Sequence, residues 1–467
     1  MFSNPYDHSV EELETISGQK LDPARSDHFY VLLNPRLKKS LNVLEKNGIR
    51  TIEGLSGEDR HLFTAAGLFL IYDDCIEELD ELIDRQIKHS DVSQQVPFSK
   101  RILFELGQMG FDEKHSARYF SLFYQLRRAY LFINRELSGE APCIKHLRRE
   151  LWNNIFTSNA LLYVDNLWNR MEDFSTLLLG ETGTGKGAAA KAIGRSGLIP
   201  FDATSGIFKS RFTDAFVSIN LLEFPETLLE SELFGHAKGA FTGASTKYDG
   251  LFKRCDIHGA LFLDEIGDTN TSIQIKLLKV LQERQFTPVG THESCRFSGR
   301  VIAATNRDVD QLRSEGEFRD DFYYRLSSDV IRIPSLSKRL SEDANELAVL
   351  VGSLLTRMMG KPSSEITQQI VNHLETALPA NYHWPGNVRE LEQAVRRTLL
   401  GREYKGENKA ESGLPLWVKL ALDGELNASD LLGRYCQSLY ERHGTYEQVA
   451  KITQLDRRTV RKYVNQY

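Results

Sequence analysis

Gly180-Glu181-Thr182-Gly183-Thr184-Gly185-Lys186 follows the apolar residues 177–179 and precedes three alanines, residues 188–190. Strand, glycine-rich turn and helix start in that order leave few folds open. The strand belongs inside a sheet, and the turn leads from its end into a packed helix. Small residues let successive backbone N–H groups turn inward around phosphate oxygens, and the helix N-terminus adds its dipole. Lys186 then neutralises the terminal phosphates. The bare G-x-x-x-x-G-K pattern is common, so the strand before it and the helix after it carry the reading. Gly187 stands where a phosphate-binding loop usually presents a Ser or Thr hydroxyl to magnesium. A metal here must rely on water and on a carboxylate elsewhere. The candidate is Asp264-Glu265, which ends the apolar Leu261-Phe262-Leu263. Asp264 is placed to hold magnesium and Glu265 to polarise the attacking water, because phosphoryl transfer needs in-line positioning more than covalent chemistry.

At 467 residues the chain is too long for one core. Residues 1–145 read as helices, with apolar residues at helical spacing in runs such as 117–133. Residues 146–335 alternate short apolar strands (176–179, 216–219, 260–263 and 300–304) with helices, the pattern of a parallel sheet with crossovers. Residues 336–402 return to helices, broken by Trp384-Pro385-Gly386-Asn387. The polar GREYKGENKAESG stretch, residues 401–413, marks a linker, taken as residues 403–427. Residues 428–467 form a small helical unit. The expected fold is therefore α/β, a phosphate-loop parallel sheet with a helical lid, flanked by a helical front region and a C-terminal helix-turn-helix.

Between the two acidic and phosphate motifs stands Glu230-Ser231-Glu232-Leu233-Phe234-Gly235-His236, then Gly239-Ala240-Phe241-Thr242-Gly243-Ala244. With these residues the chain resembles the sigma-54-dependent activators, the bacterial enhancer-binding branch of the AAA+ ATPases. GAFTGA is the loop with which that family touches its sigma factor. Glycines at both ends permit a mobile tip that presents Phe241 and Thr242. The resemblance covers residues 143–400 closely and carries further roles over, position by position. Asn220 corresponds to the asparagine that holds the catalytic glutamate until the γ-phosphate is sensed. Asn306 fits sensor I. Arg319 and Arg325 both fit the arginine finger aimed at a neighbouring subunit's nucleotide, and Arg389 fits sensor II. Gly187 departs from the acidic residue usual in this family. The resemblance implies ATP and Mg2+ as cofactors and a homo-oligomeric ring, a hexamer. It implies sigma-54 RNA polymerase holoenzyme as a partner, remodelled from closed to open promoter complex at the expense of ATP hydrolysis. Two rivals are a DNA-binding regulator that binds ATP without turnover and an AAA+ remodeller of some other protein. The Asp264-Glu265 pair argues against the first and GAFTGA against the second.

Residues 442–467 hold six Lys/Arg against one Glu and one Asp. Helix 446–452, the turn Thr453-Gln454-Leu455 and helix 456–467 resemble the Fis-type unit of these activators, packed through Val449, Ala450, Leu455 and Val460. Arg457, Arg458, Thr459, Arg461 and Lys462 then face double-stranded DNA at upstream enhancer sites. At the other end, Leu68-Phe69-Leu70-Ile71-Tyr72 followed by Asp73-Asp74 imitates a phosphorylation receiver. Asp112 lacks the preceding strand that a receiver needs. The seven carboxylates in residues 73–84 read as an exposed helix face, and Tyr119, Phe120, Phe123, Tyr124, Tyr130 and Phe132 as core. Net charge is −6, so any nucleic-acid surface is local. Cys75, Cys143, Cys255, Cys295 and Cys436 are scattered without a C-x-x-C pair, which fits a reducing compartment. The first residues carry no secretory pattern, and residues 62–72 are about half of a membrane span. The expected location is the cytoplasm, with no membrane partner.

Overall fold

The computed structural model describes residues 4–7, 28–89, 93–379, 382–406, 416–422 and 424–466. Two compact units divide the chain, Met1–Glu403 and Tyr404–Tyr467. The first opens with α1 (His28–Lys46), α2 (Gly57–Asp74), α3 (Ile76–Lys88), α4 (Ser99–Gln108), α5 (Glu113–Glu136), α6 (Pro142–Phe156) and α7 (Ala160–Asn166). Side-chain caps start several of them: Asp112 accepts from the His115 N–H, and Asn159 from those of Leu161 and Leu162. The strand-like residues 68–72 lie inside α2, with Leu68, Phe69 and Ile71 buried. The acidic run is an exposed face, as expected, and it also pairs with arginines of the neighbouring helices. Asp74 and Glu78 bind Arg101, Asp80 binds Arg127, and Asp84 binds Arg135 at 3.0 Å.

Strands β1 (Thr176–Leu179), β4 (Phe216–Asn220), β5 (Ala260–Asp264), β8 (Arg300–Thr305) and β9 (Asp329–Arg332) form one parallel sheet in the order β4-β5-β8-β1-β9. Two short ribbons flank it, β2 (Phe201–Asp202) with β3 (Ile207–Phe208) and β6 (Gln285–Phe286) with β7 (Cys295–Arg296). Both faces are covered, so the central strands are mostly apolar and their alternation sorts residues between two cores. Leu178, Phe262, Ile302 and Ala304 enter one core; Leu177, Leu261, Leu263, Val301 and Ala303 enter the other. Helix α8 (Lys186–Gly194) covers the first face. Helices α9 (Glu226–Phe234), α10 (Leu251–Arg254), α11 (Thr271–Glu283), α12 (Val309–Ser314) and α13 (Asp320–Leu326) belong to the other side of the fold.

The front helices share the first of these cores. Phe120 and Tyr124 of α5 pack on Phe208 at 5.7 and 3.9 Å, and Phe132 packs on Phe212 at 5.2 Å. The aromatics expected to be core are so placed, with Tyr130 packed at its margin. The boundary expected at 145/146 falls inside α6. A lid follows: α14 (Leu336–Glu342), α15 (Glu346–Met359), α16 (Ser364–Ala377) and α17 (Asn387–Leu399). The segment between α5 and α6 is fastened to it. Glu346, fully buried, accepts from the backbone N–H of Glu140 at 2.7 Å and of Ala141 at 3.0 Å. Arg339 binds Glu346 at 2.5 Å and donates to the Ser138 carbonyl at 2.5 Å. Gly139, at φ +130°, has no room there for a Cβ.

In the second unit, α18 (Leu416–Leu422) lies in the stretch expected as linker; residues 407–415 are outside the described ones. Then come α19 (Ala428–His443), α20 (Tyr446–Thr453) and α21 (Arg457–Gln466). Cys436, Val449 and Val460 form their buried centre, with Ala450 and Leu455 packed against it. Gln454 turns the chain between the last two helices at φ 56°.

Candidate active site

All the acidic and phosphate-loop candidates sit at the carboxyl edge of the sheet, where open parallel sheets bind ligands. The loop leaves β1 at Gly180 and enters α8 at Lys186. Gly183 and Gly185 have φ of 80° and 105°, a region that side chains rarely adopt. A Cβ on Gly183 would also overlap the Gly386 carbonyl of the lid. Lys186 is 7% exposed, and its Nζ donates to the carbonyls of Gly180 at 2.8 Å and Glu181 at 3.1 Å. Burial lowers its pKa, against the pull of Glu265 and Asp264. Thr184 donates to the Glu181 carbonyl at 2.8 Å.

Asp264 ends β5 beside Asn220 of β4, its partner in the parallel register. Its carboxylate accepts from the Glu265 N–H at 3.1 Å. Burial raises the pKa of both acids, with Lys186 opposing it in each and Arg389 also opposing it at Asp264. Glu265 has φ 58°, a strained conformation for a residue with a side chain, which turns it out of the strand line. Asn306 joins the two motifs: its N–H donates to Glu265 at 3.4 Å and its side-chain amide to Thr182 Oγ1 at 2.8 Å.

Three expected residues stand apart from this cluster. Asn220 Oδ1 accepts from the Leu222 N–H at 3.0 Å, and no hydrogen bond links Asn220 to Glu265 among the described residues. Arg319 forms a bidentate pair with Asp321 at 3.0 and 2.7 Å. Arg325 donates to the Leu281 carbonyl at 2.9 Å. Gln274, fully buried, fixes the Arg319 turn by accepting from its N–H at 3.0 Å. Sequence reasoning missed a further residue, Asn387, which is buried at φ 53°. Its amide donates to Glu181 at 2.9 Å and to the Thr182 carbonyl at 3.1 Å, while it accepts from the Leu336 N–H at 2.7 Å. Standing two residues before Arg389, in the same Gly386-Asn387 break, it was the available signal. Arg389 anchors alongside through its N–H to the Gly183 carbonyl at 3.3 Å.

Residues 239–244 form a tight loop closed by the Gly239 N–H donating to the Ala244 carbonyl at 2.8 Å, with Gly239 and Gly243 at φ 81° and 105°. Phe241 is 38% exposed, edge-on to the His236 ring at 5.0 Å. His236 in turn bonds Ser231 at 2.7 Å and stacks on Tyr248. In the second unit Arg457, Arg458, Arg461 and Lys462 are exposed and Thr459 is half-buried; Arg457 pairs with Glu447 at 2.7 Å.

A glycine loop with its lysine, an acidic strand end and a lid that seals onto the loop define a P-loop protein of the AAA+ ATPase class. The comparisons carry this further. Residues 159–332 match the Sigma-54 interaction domain and residues 339–407 the AAA+ ATPase lid domain, and over these residues the chain is similar to the sigma-54-dependent activators. It is 43% identical over 237 residues to the Nif-specific regulatory protein of Azotobacter vinelandii, covering 50% of this chain and 41% of that one. Regulatory protein AtoC of Escherichia coli is 38% identical, covering 59% and 58%. The anaerobic nitric oxide reductase transcription regulator NorR of Aeromonas salmonicida is 33% identical, covering 69% and 61%. The chain thus spans between 41% and 61% of the length of these relatives. Among solved structures it is similar to NtrX from Brucella abortus, at 20% identity over 79% of each chain and a TM-score of 0.41. No described helix is long and apolar enough to cross a membrane.

Proposed function

We propose that the chain hydrolyses ATP in a homo-oligomeric ring and uses the cycle to remodel a sigma-54 RNA polymerase closed complex into the open one. The observation that carries this reading is the pairing, in one compact unit, of the Lys186–Asp264–Glu265 cluster with the glycine-flanked Phe241 loop. The loop N–H groups and Lys186 bind the phosphates of ATP. Glu265, held at a fixed angle by its strained backbone and by the Asn306 N–H, accepts the proton of the attacking water. Asn306 and Asn387 report loop occupancy to β8 and the lid, and Arg389 adds positive charge at Asp264. Asn220 is positioned by the β4–β5 register to pass the state of Asp264 towards α9 and the Phe241 loop.

Magnesium fits the donor set: a half-buried Asp264, no hydroxyl at Gly187, and phosphate oxygens of the substrate to complete the shell, a low-protein-ligand arrangement usual for this ion. When bound, it supplies charge neutralisation between the terminal phosphates. Arg319 and Arg325, aligned around α13 outside their own chain's nucleotide cluster, serve the site of an adjacent copy. The exposed cations of α21 bind duplex DNA and concentrate the ring near its promoter. The cytoplasm is the compartment this reading requires.

Substituting Glu265→Gln separates binding from turnover. Nucleotide should still bind, while phosphate release and open-complex formation at a sigma-54 promoter are lost together. Open complexes formed at the wild-type rate without hydrolysis would overturn the proposal.

A further inference from the structure

At the amino edge of the sheet, opposite the phosphate loop, a cavity of about 300 Å3 lies between the front helices and the ATPase fold. Ile155, Trp168, Ile193 and Leu198 give it apolar walls, and Gln125 and Arg300 are among its polar lining. Gln125 of α5 is fully buried. Its Nε2 donates to the Tyr163 hydroxyl and to the Ser196 carbonyl, both at 2.9 Å. A carbonyl can only accept, so the amide's orientation is set, and Oε1 is left without a partner among the described residues. A buried acceptor of this kind is costly until it receives a donor.

Arg300 opens β8. It donates to the Phe174 carbonyl at 2.8 Å, the Asn154 carbonyl at 3.1 Å, Asn154 Oδ1 at 2.9 Å and Thr176 Oγ1 at 3.0 Å. All four acceptors are neutral, and one of the five guanidinium N–H groups remains. The carboxylate of Asp329 is turned to Asn154 instead, at 2.6 Å. Deeper in the protein, the fully buried Arg128 likewise donates, among the described residues, to carbonyls only, those of Arg195 at 2.6 Å and Gly197 at 2.7 Å. The cavity therefore joins an apolar wall, an unmet acceptor and, at Arg300, guanidinium charge that no bonded carboxylate offsets, whereas Arg296, also in the lining, is paired with Glu172 at 3.1 Å. A carboxylate satisfies the charge. A hydroxyl satisfies Gln125 better than an ammonium would, since a further cation would lie beside the guanidinium groups. An apolar ring or branched body fills the remainder.

We propose that this cavity binds a small apolar hydroxycarboxylic acid as an effector of the nucleotide site. Three rigid elements connect the two ends: α8 runs from Lys186 to Ile193, β5 from Ala260 to Asp264, and β8 from Arg300 to Thr305, next to Asn306. The effector role rests on the ATPase reading; the binding site does not.

Isothermal titration calorimetry on the full chain tests it, with 3-phenyllactate, 3-phenylpropionate (no hydroxyl) and 2-phenylethanol (no carboxylate) as probes. Phenyllactate should bind, and each truncated probe should bind at least about tenfold more weakly, the loss expected for one hydrogen bond or charge contact. Gln125→Leu and Trp168→Ala, each checked for folding by circular dichroism, should weaken phenyllactate by a similar factor. No binding heat, equal affinity for all three probes, or unchanged affinity in both folded variants overturns the site. ATP hydrolysis should change on adding phenyllactate to the wild type and not to Gln125→Leu. Binding without any change in turnover overturns the effector role. Protein that turns over no ATP even without probe is a failure of the ATPase reading, and calorimetry still decides the cavity.

Discussion

Glu265, the general base proposed above, is held in a conformation that its backbone would not choose. Its φ of 58° is stabilised by the parallel strand behind it and by the Asn306 N–H. Burial raises its pKa, so its ionised, proton-accepting form is lost at a higher pH than for a solvated glutamate. Hydrolysis therefore should fall as pH drops through that raised value, and a pH profile of kcat/KM should show an acid limb above the usual glutamate range. Glu265→Gln should abolish that limb and lower kcat by about 10²–10⁴-fold. A limb that survives the substitution would assign it to another group. The residues of this cluster were largely legible in sequence because motif spacing encodes them: a loop after a strand, an acid pair after a strand. Asn387 was not, because its role arises from the lid folding back onto Glu181, a contact 206 positions away in the chain.

Gly187 shows what an element tolerates. It lies in the first turn of α8, at a negative φ, and a Cβ there would meet only the Phe262 ring at 4.0 Å. Sterics do not require glycine at this position. Gly187→Ala should stabilise the protein by about 0.5–1 kcal/mol, seen as a higher denaturation midpoint, by the ordinary helix preference for alanine. Gly187→Ser should lower the magnesium concentration that half-saturates hydrolysis by restoring a hydroxyl; an unchanged requirement would place the ion beyond its reach. At this scale four of the five strands of the main sheet, β1, β4, β5 and β8, were readable from apolar runs between turns. β9 was not, since Asp329-Val330-Ile331-Arg332 places two apolar residues between charges and gains its strand state from pairing with β1. Residues 68–72, an apolar run that imitates a strand, are helix, as the helical reading of the front region expected, and pack against α5.

For the molecule as a whole, sequence placed a border between front helices and ATPase near residue 145, where the structure has one helix and one continuous core. Composition shifts mark where the sheet begins. They do not show that α5 fills the groove beside α8, because Phe120, Tyr124 and Phe132 would be equally apolar in a separate domain. The proposed ring would add a scale that a single chain does not contain. If Arg319 or Arg325 completes a neighbour's site, mixing an Arg→Ala variant with wild type should depress hydrolysis per wild-type subunit as the variant fraction rises. A constant specific activity across the mixing series would confine each site to one chain.

The central claim is that turnover at Lys186, Asp264 and Glu265 is transmitted to an aromatic tip that grips the sigma factor. Phe241→Ala isolates it, since that ring is 38% exposed and bonds to nothing in the phosphate cluster. The measurement is phosphate release and open-complex formation on one preparation, together with capture of sigma-54 holoenzyme in the presence of ADP and aluminium fluoride. Hydrolysis near the wild-type rate, with no capture and no open complex, is the expected result. Full promoter opening by the variant, or a wild-type protein that hydrolyses ATP and never captures the holoenzyme, would contradict it.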